Sequence, residues 1–297
     1  MSYDLYFYKR KENKTTEQEI AEYLTANFVP PNETGRQWFF GNEDTEAYFS
    51  IDQNEPETDE EAVELFEKFD DFNNTHFSFN LNFLRPDFFG QFAFEHVDKF
   101  VEKFDLYVLN PQSSTDADKP IKPQPGSLYK NWSQTNAEQS ANLFRECESV
   151  YYPLEKTNDF YLFNSNRKRI QAELGEDYFV PKIFLFQRKS DGHIISTTIW
   201  PEHIPCIFPQ VDYLLLCKKY KKWFRAIEED GFISSETFHT RFGSYLDDYG
   251  FMNCKILHPD KAEQLSDIFN STKIEHKVVD FAERIAIEKV SNVRPSS

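Results

Sequence analysis

The chain opens with "YDLYFY", an alternating run that reads as a strand. It continues into "TTEQEIAEYLTANF", where Thr16 and Glu19 hold capping-box spacing and Ile20, Tyr23, Leu24 and Phe28 fall on one helical stripe. "RQWFFGNED" and "TEAYFSID" are β-rich runs flanking a turn at Asn42 to Asp44, next to Gly41. "HFSFNLNFL" alternates until Pro86 stops it. Phe94, Val97, Phe100, Val101 and Phe104 then mark a second helix, and "LYVLN" closes with a strand. The order strand, helix, three strands, helix, strand predicts a split-βαβ-like sheet with helices on one face.

Period two also divides the sheet's faces. If Tyr3, Leu5 and Phe7 face the helices, then Asp4, Tyr6 and Tyr8 point away from them. Tyr48, Ser50 and Asp52, with Ser78, Asn80 and Asn82, share that second face. Tyrosines with one polar tip suit half-buried surfaces, so the rest of the chain is expected to cover this face. Left open, it brings Asp4, Tyr6, Asp52, Asn80, Asn82 and Arg85 together on a polar ligand.

Residues 111–126, "PQSSTDADKPIKPQPG", hold four prolines and no periodicity. They predict a linker between an N-terminal α+β subdomain, 1–110, and a C-terminal one, 127–297. Helical patterns follow from Ser127 to about Glu148 and from Leu154 to Leu174, with Gly175 as a C-terminal cap. "KIFLFQRKSDGHIISTTIW" reads as a hairpin around Asp191 and Gly192, and "VDYLLLC" as an apolar strand. A helix over Ser234–Asp248, the strand "CKIL", a helix over Pro259–Phe269 and the strand "KVVDFA" complete an α+β chain with no fixed repeat.

Composition sharpens the picture in two ways. Among the 297 residues, 31 Phe and 15 Tyr point to a core built of rings. A net charge of −17 repels phosphate backbones and attracts cationic surfaces, which argues against nucleic-acid binding. The N-terminus meets charged residues before any apolar signal core forms, and no run of eighteen apolar residues occurs, so no membrane segment is expected. Cys147, Cys206, Cys217 and Cys254 are widely separated, which fits isolated thiols and a cytoplasmic location.

The charge concentrates in "EPETDEEAVELFEKFDD", with nine carboxylates in seventeen residues and Lys68 as the sole cation. A calcium loop needs a central glycine and alternating oxygen ligands, and no glycine lies between Asn42 and Phe89. Val63, Leu65, Phe66 and Phe69 interleave the acids instead, predicting a short amphipathic helix with an acidic outer face. That face is either simply hydrated or a docking surface made of Glu55, Glu57, Asp59, Glu60, Glu61 and Glu64.

Signatures of the commonest enzymes are absent: GxGxxG, a Walker loop, GxSxG, HExxH and CxxC do not occur. His193 and His203 flank one strand, with Glu202 beside the second, which is too few ligands for a metal. His258 precedes Pro259 and reads as a helix-start residue. "KKYKKWFR", from Lys218 to Arg225, mixes cations and rings as single-strand binders do, but also reads as a strand end and helix start.

The opening "MSYDLYFYK", with "QWFFGNEDTEAYFSID", "FNLNFLRPDFF", "GEDYFVPKIFLF" and "IWPEHIPCIFPQVDYLLL", resembles a family of uncharacterised bacterial proteins that begin in the same way. That resemblance spans most of the chain and implies no catalytic residue. By general type, an acidic, motif-free α+β chain is similar to the immunity proteins bacteria make against their own polymorphic toxins. The sequence thus points to a non-catalytic acidic binding protein, with no cofactor or metal, that occludes a basic toxin domain. The alternative is an enzyme or small-ligand binder using the polar sheet face.

Overall fold

The computed structural model describes residues 2–67, 69–113, 117–222 and 225–294, with 220–222 and 225–227 as backbone only. Its class is α+β, as the alternation predicts. The chain forms two compact units, one from residues 1–147 with 291–297, the other from 148–290.

The first unit contains β1 (Ser2–Arg10), α1 (Glu17–Asn27), β2 (Gln37–Gly41), β3 (Tyr48–Gln53), α2 (Glu60–Phe66), β4 (Phe72–Asn82), α3 (Phe88–Phe104), β5 (Tyr107–Leu109) and α4 (Ser127–Leu143). Its sheet runs β2-β3-β4-β1-β5, and every neighbouring pair is antiparallel. β1 and β3 are therefore parallel with β4 inserted between them, the split arrangement, and β2 is added at the edge.

Tyr3, Leu5, Phe7, Phe49, Ile51, Phe77, Phe79 and Leu81 are fully buried on one face, confirming the parity read from the sequence. α1 and α3 cover that face through Phe7 against Phe100, centroids 5.0 Å apart, Phe79 against Phe94 at 5.2 Å, and Tyr23 against Phe100 and Phe104. Such edge-to-face and tilted ring pairs each add about 0.5–1.5 kcal/mol beyond area burial. α1 begins at the predicted capping box: the Glu19 N–H donates to Thr16 Oγ1 at 3.2 Å and the Thr16 N–H to Glu19 Oε2 at 2.8 Å.

The helices do not all lie on one face, because α2 sits on the other side of the sheet, where Phe66 meets Tyr6. Nor does the proline-rich stretch separate the units. Ile121 exchanges two backbone hydrogen bonds with Val108, and the Gly126 N–H reaches Asp98, so the described part of this segment is laid along the first unit. α4, expected in the C-terminal subdomain, packs on the first unit instead: Trp132 crosses Gly90 of α3, and Asn136 accepts from the Leu84 N–H and donates to the Arg85 carbonyl in the turn after β4. A buried tryptophan and a buried amide outweigh the prolines as markers of where the chain belongs.

In the second unit, β6 (Val150–Tyr151) precedes the long α5 (Leu154–Leu174), which ends at Gly175 with φ +81° as the cap predicts. β7 (Ile183–Arg188) and β8 (Ile194–Pro201) form the predicted hairpin, followed by β9 (Cys206–Phe208), β10 (Tyr213–Lys222) and β11 (Arg225–Ser234). Asn164 of α5 grips β7 reciprocally, accepting from the Ile183 N–H at 2.9 Å and donating to its carbonyl at 3.0 Å.

Within "KKYKKWFR", Lys218–Lys222 belong to β10 and Arg225 to β11, two antiparallel strands, and the predicted helix start is not formed by these residues. Trp223, Phe224 and the side chains from Tyr220 to Arg225 lie outside the described residues. Next come α6 (Ser235–Phe242), β12 (Asp247–Asp248), β13 (Lys255–Leu257), α7 (Pro259–Ala262), α8 (Ser266–Ser271), α9 (Val278–Phe281), β14 (Ala282–Arg284) and β15 (Val290–Ser291). Two expectations change here: the helix from Ser234 stops at Phe242, and "KVVDFA" is a helical turn before a short strand. The main sheet runs β11-β10-β8-β7-β14, with Trp200 at the centre of its core against Phe208, Phe238, Phe242 and Phe269.

Candidate functional site

The acidic helix is held by its own first residues. Asp59 caps α2, its carboxylate accepting from the Glu61 and Ala62 N–H groups at 3.1 and 3.2 Å, and Glu60 and Glu61 occupy the electropositive first turn. The inner side of the segment is clipped to the sheet. The Phe66 ring lies 4.6 Å from Tyr6, the Tyr8 hydroxyl donates to the Phe66 carbonyl at 2.8 Å, and Phe69 packs on Tyr8 at 5.2 Å. Glu55, Glu57, Asp59, Glu60, Glu61 and Glu64 are all exposed, and Glu55 is ion-paired with Arg36. Leu65, expected on the inner stripe, is instead 50% exposed among the carboxylates, because Val63 and Phe66 take the inward positions. Burial, then the charges of Asp4 and Glu57, raise the Tyr6 hydroxyl above its ordinary value, keeping it a neutral donor.

The polar face assembles as cross-strand rungs. Asn80 lies directly opposite both Asp4 and Ser50, and Ser50 opposite Phe39, giving the rung Phe39–Ser50–Asn80–Asp4. The next rung is Gln37–Asp52–Ser78–Tyr6. Asn80 Nδ2 donates to Asp4 Oδ1 at 2.6 Å, Ser2 Oγ to Asp4 Oδ2 at 2.9 Å and Ser50 Oγ to Asp52 Oδ2 at 3.0 Å. Asn82 pairs with Ser2, and Arg85 arrives from the turn after β4 by donating to the Tyr48 hydroxyl at 3.2 Å. Covering is partial: α2 closes over Tyr8, while Asp4, Asp52, Ser78, Asn80 and Asn82 stay partly exposed. Phe39 is 52% exposed and stacks on Tyr48 at 5.3 Å.

One constellation was missed by sequence reasoning. His76 adopts φ +58° at a bulge in β4, and its ring lies between two carboxylates, Glu17 at 2.9 Å and Glu67 at 3.6 Å. Partial burial pushes the Glu17 carboxyl up, but hydrogen bonds from His76 and Gln53, with the charges of His76 and Lys9, outweigh it and hold it below the ordinary carboxylate value. The clean alternation of "HFSFNLNFL" gives no sign of the bulge, which marks the join between α1, α2 and β4.

His193 pairs with Asp191 at 3.0 Å, and His203 packs on Phe269. Among the described residues no three His, Cys, Asp or Glu side chains converge as a metal would require, and no helix is long and apolar enough to cross a membrane. All four cysteines are free thiols, Cys206 and Cys254 buried and Cys147 exposed.

Cavities also open in the second unit. One of about 530 Å³ is lined by Lys156, Asp212, Glu236 and His239, and one of about 550 Å³ lies between α6 and the segment after α8. No family model matches the chain, and neither a curated protein nor a solved structure matches it.

Proposed function

We propose that the chain is a non-catalytic binding protein that occludes a basic protein partner, in the manner of a cytoplasmic immunity protein that neutralises a bacterial toxin. The observation that carries this reading is the mounting of α2. Six exposed carboxylates are displayed on a segment fixed to the sheet by Phe66 and Phe69, with Leu65 exposed among them as an apolar anchor. Preorganised charge of one sign speeds encounter with a cationic surface, and a desolvated apolar contact slows release.

The test begins with affinity capture from the source cells, washed at low and then high salt. Association kinetics with the captured basic partner follow. The variant E55Q/E57Q/D59N/E60Q/E61Q/E64Q keeps a competent cap at position 59 and removes the charge. It is expected to associate more slowly and with a flatter salt dependence; an unchanged rate would rule out docking through α2.

A second reading is favoured by the open rungs of the sheet. Asp4, Tyr6, Asp52, Asn80 and Asn82, beside Phe39, present hydrogen-bonding groups to a small polar ligand, bound or transformed there. Chemical-shift changes confined to these residues on addition of a ligand would favour it over the first.

A further inference from the structure

In a chain of net charge −17, several surface cations meet a carboxylate: Arg10 meets Asp71, Arg36 meets Glu55, Lys255 meets Asp248 and Lys261 meets Asp247. Arg241 and Lys273 have no carboxylate partner among the described residues, and both line the same cavity of about 550 Å³. Among the described residues Arg241 donates to two hydroxyls, Thr272 Oγ1 at 3.4 Å and Ser271 Oγ at 3.3 Å. These contacts are long for a guanidinium, whose charge-assisted bonds run about 2.7–2.9 Å, and they leave further N–H groups of its fork unused.

The cavity wall is fixed rather than draped. The side chain of Lys218, 1% exposed, sends its ammonium to the Thr272 carbonyl. The Phe232 N–H donates to the His276 carbonyl at 2.9 Å and the Glu275 N–H to the Phe232 carbonyl at 3.0 Å, stitching the segment to β11. Gly231 makes this approach possible, since a Cβ there would come within 2.2 Å of Ile274 Cγ2 and 2.7 Å of the His276 oxygen.

The opposite wall is α6, which supplies a ruler. Thr237 and Arg241 are four residues apart, so they sit on one side of the helix about 6 Å apart along its axis. At the Thr237 end is Glu275, whose carboxylate accepts from the Ser234 N–H at 2.9 Å, the Ser234 hydroxyl at 3.1 Å and the Thr237 hydroxyl. Partial burial pushes the Glu275 carboxyl up, but these hydrogen bonds outweigh it and hold it below its ordinary value, so it is an ionised acceptor at neutral pH. The cavity therefore has Arg241 at one end of its α6 wall and Glu275 one helical turn away, with Lys273 also in its lining.

We infer that this cavity binds a small phosphomonoester, with the phosphate between Arg241 and Lys273 and a hydroxyl or amine, about one helical turn from the phosphorus, donating to Glu275. Two cations match a phosphate dianion, through an arginine fork and a lysine point charge. The site lies in the second unit and does not depend on the acidic helix.

The test is calorimetric titration of the full chain, at low ionic strength, with glycerol 3-phosphate, inorganic phosphate and glycerol. Glycerol 3-phosphate is expected to bind about tenfold more tightly than inorganic phosphate, and glycerol not at all. R241Q/K273Q should lose about tenfold or more in affinity for the phosphomonoester with an unchanged melting temperature. K11Q/K14Q, an equal charge change in the first unit, should leave affinity unaltered, and E275Q should narrow the preference over inorganic phosphate. No saturable binding of glycerol 3-phosphate at about 10 mM overturns the assignment, as does an equal loss in both double variants. Equal affinity for the two phosphates rejects the role of Glu275.

Discussion

The Tyr8 hydroxyl donates to the Phe66 carbonyl at 2.8 Å, so the last turn of the acidic helix is clipped to a fully buried residue of the first strand. Tyr8→Phe keeps the ring and removes the clip. Asn74 Nδ2 also reaches the Phe66 carbonyl, at 3.4 Å, so the loss is cushioned and should come to about 1 kcal/mol or less in urea unfolding. The sharper readout is local. Amide exchange across residues 60–66 should quicken while the centre of β4 is unchanged, and equal quickening in both would show that the clip is not local.

Asn80→Asp places a second carboxylate directly opposite Asp4, where the amide now donates at 2.6 Å. Like charges facing across a ladder oppose pairing, and the donor is lost, so about 1–2 kcal/mol of stability should go at neutral pH. The deficit should shrink on acidification into the carboxylate range. Melting temperatures of the two proteins at pH 7 and pH 4 check this.

Gly90→Ala should destabilise the first unit even though alanine favours helices by about 1 kcal/mol over glycine. A Cβ at this point of α3 would lie 2.2 Å from Trp132 Cε3 and 2.4 Å from Cζ3, forcing α4 away. Overpacking of this kind costs about 1–3 kcal/mol, and chemical denaturation with tryptophan fluorescence would measure it. A stabilised variant would show that α4 is not seated on α3.

The Glu17 carboxyl titrates below its ordinary value of 4.5 in the folded chain. A depressed folded pKa means that this group's contribution is present above about pH 4.5 and is lost as pH falls through the lower folded value. Glu17→Gln should therefore be less stable than the parent at pH 7 and should converge with it in acid. A gap that persists in acid would assign the effect to packing rather than to charge.

Much of the first unit is legible in the sequence because the signals there are local. Period two placed Tyr3, Leu5 and Phe7 on the buried face and Asp4 and Asn80 on the other, and Thr16 with Glu19 announced α1. What the sequence hid depends on partners distant along the chain. The bulge at His76 is a backbone event with no side-chain rhythm. The division of the units turns on Trp132 meeting α3 and Asn136 meeting the turn after β4, which four prolines in between obscured. "KVVDFA" has strand composition, yet Phe281 is drawn into a turn where it stacks on His276 with centroids 4.0 Å apart. Of the candidate sites, the carboxylates of α2 and the strand rungs could be named in advance. The pairing of Arg241 with Lys273 could not, since 32 positions separate them and neither lies in a motif.

β1 precedes the other strands of its sheet along the chain yet occupies an interior place in it, between β4 and β5. A chain emerging in order from the ribosome holds this strand for about a hundred residues before its second neighbour exists, leaving the backbone edge that β5 will pair, and the rings of Tyr6, Phe7 and Tyr8 along it, without that partner in the interval. The Asp87 N–H at the head of α3 waits longer still, for Asn292 Oδ1 at 2.8 Å. The first unit is thus completed only after the second, which lies within it along the chain, has been made.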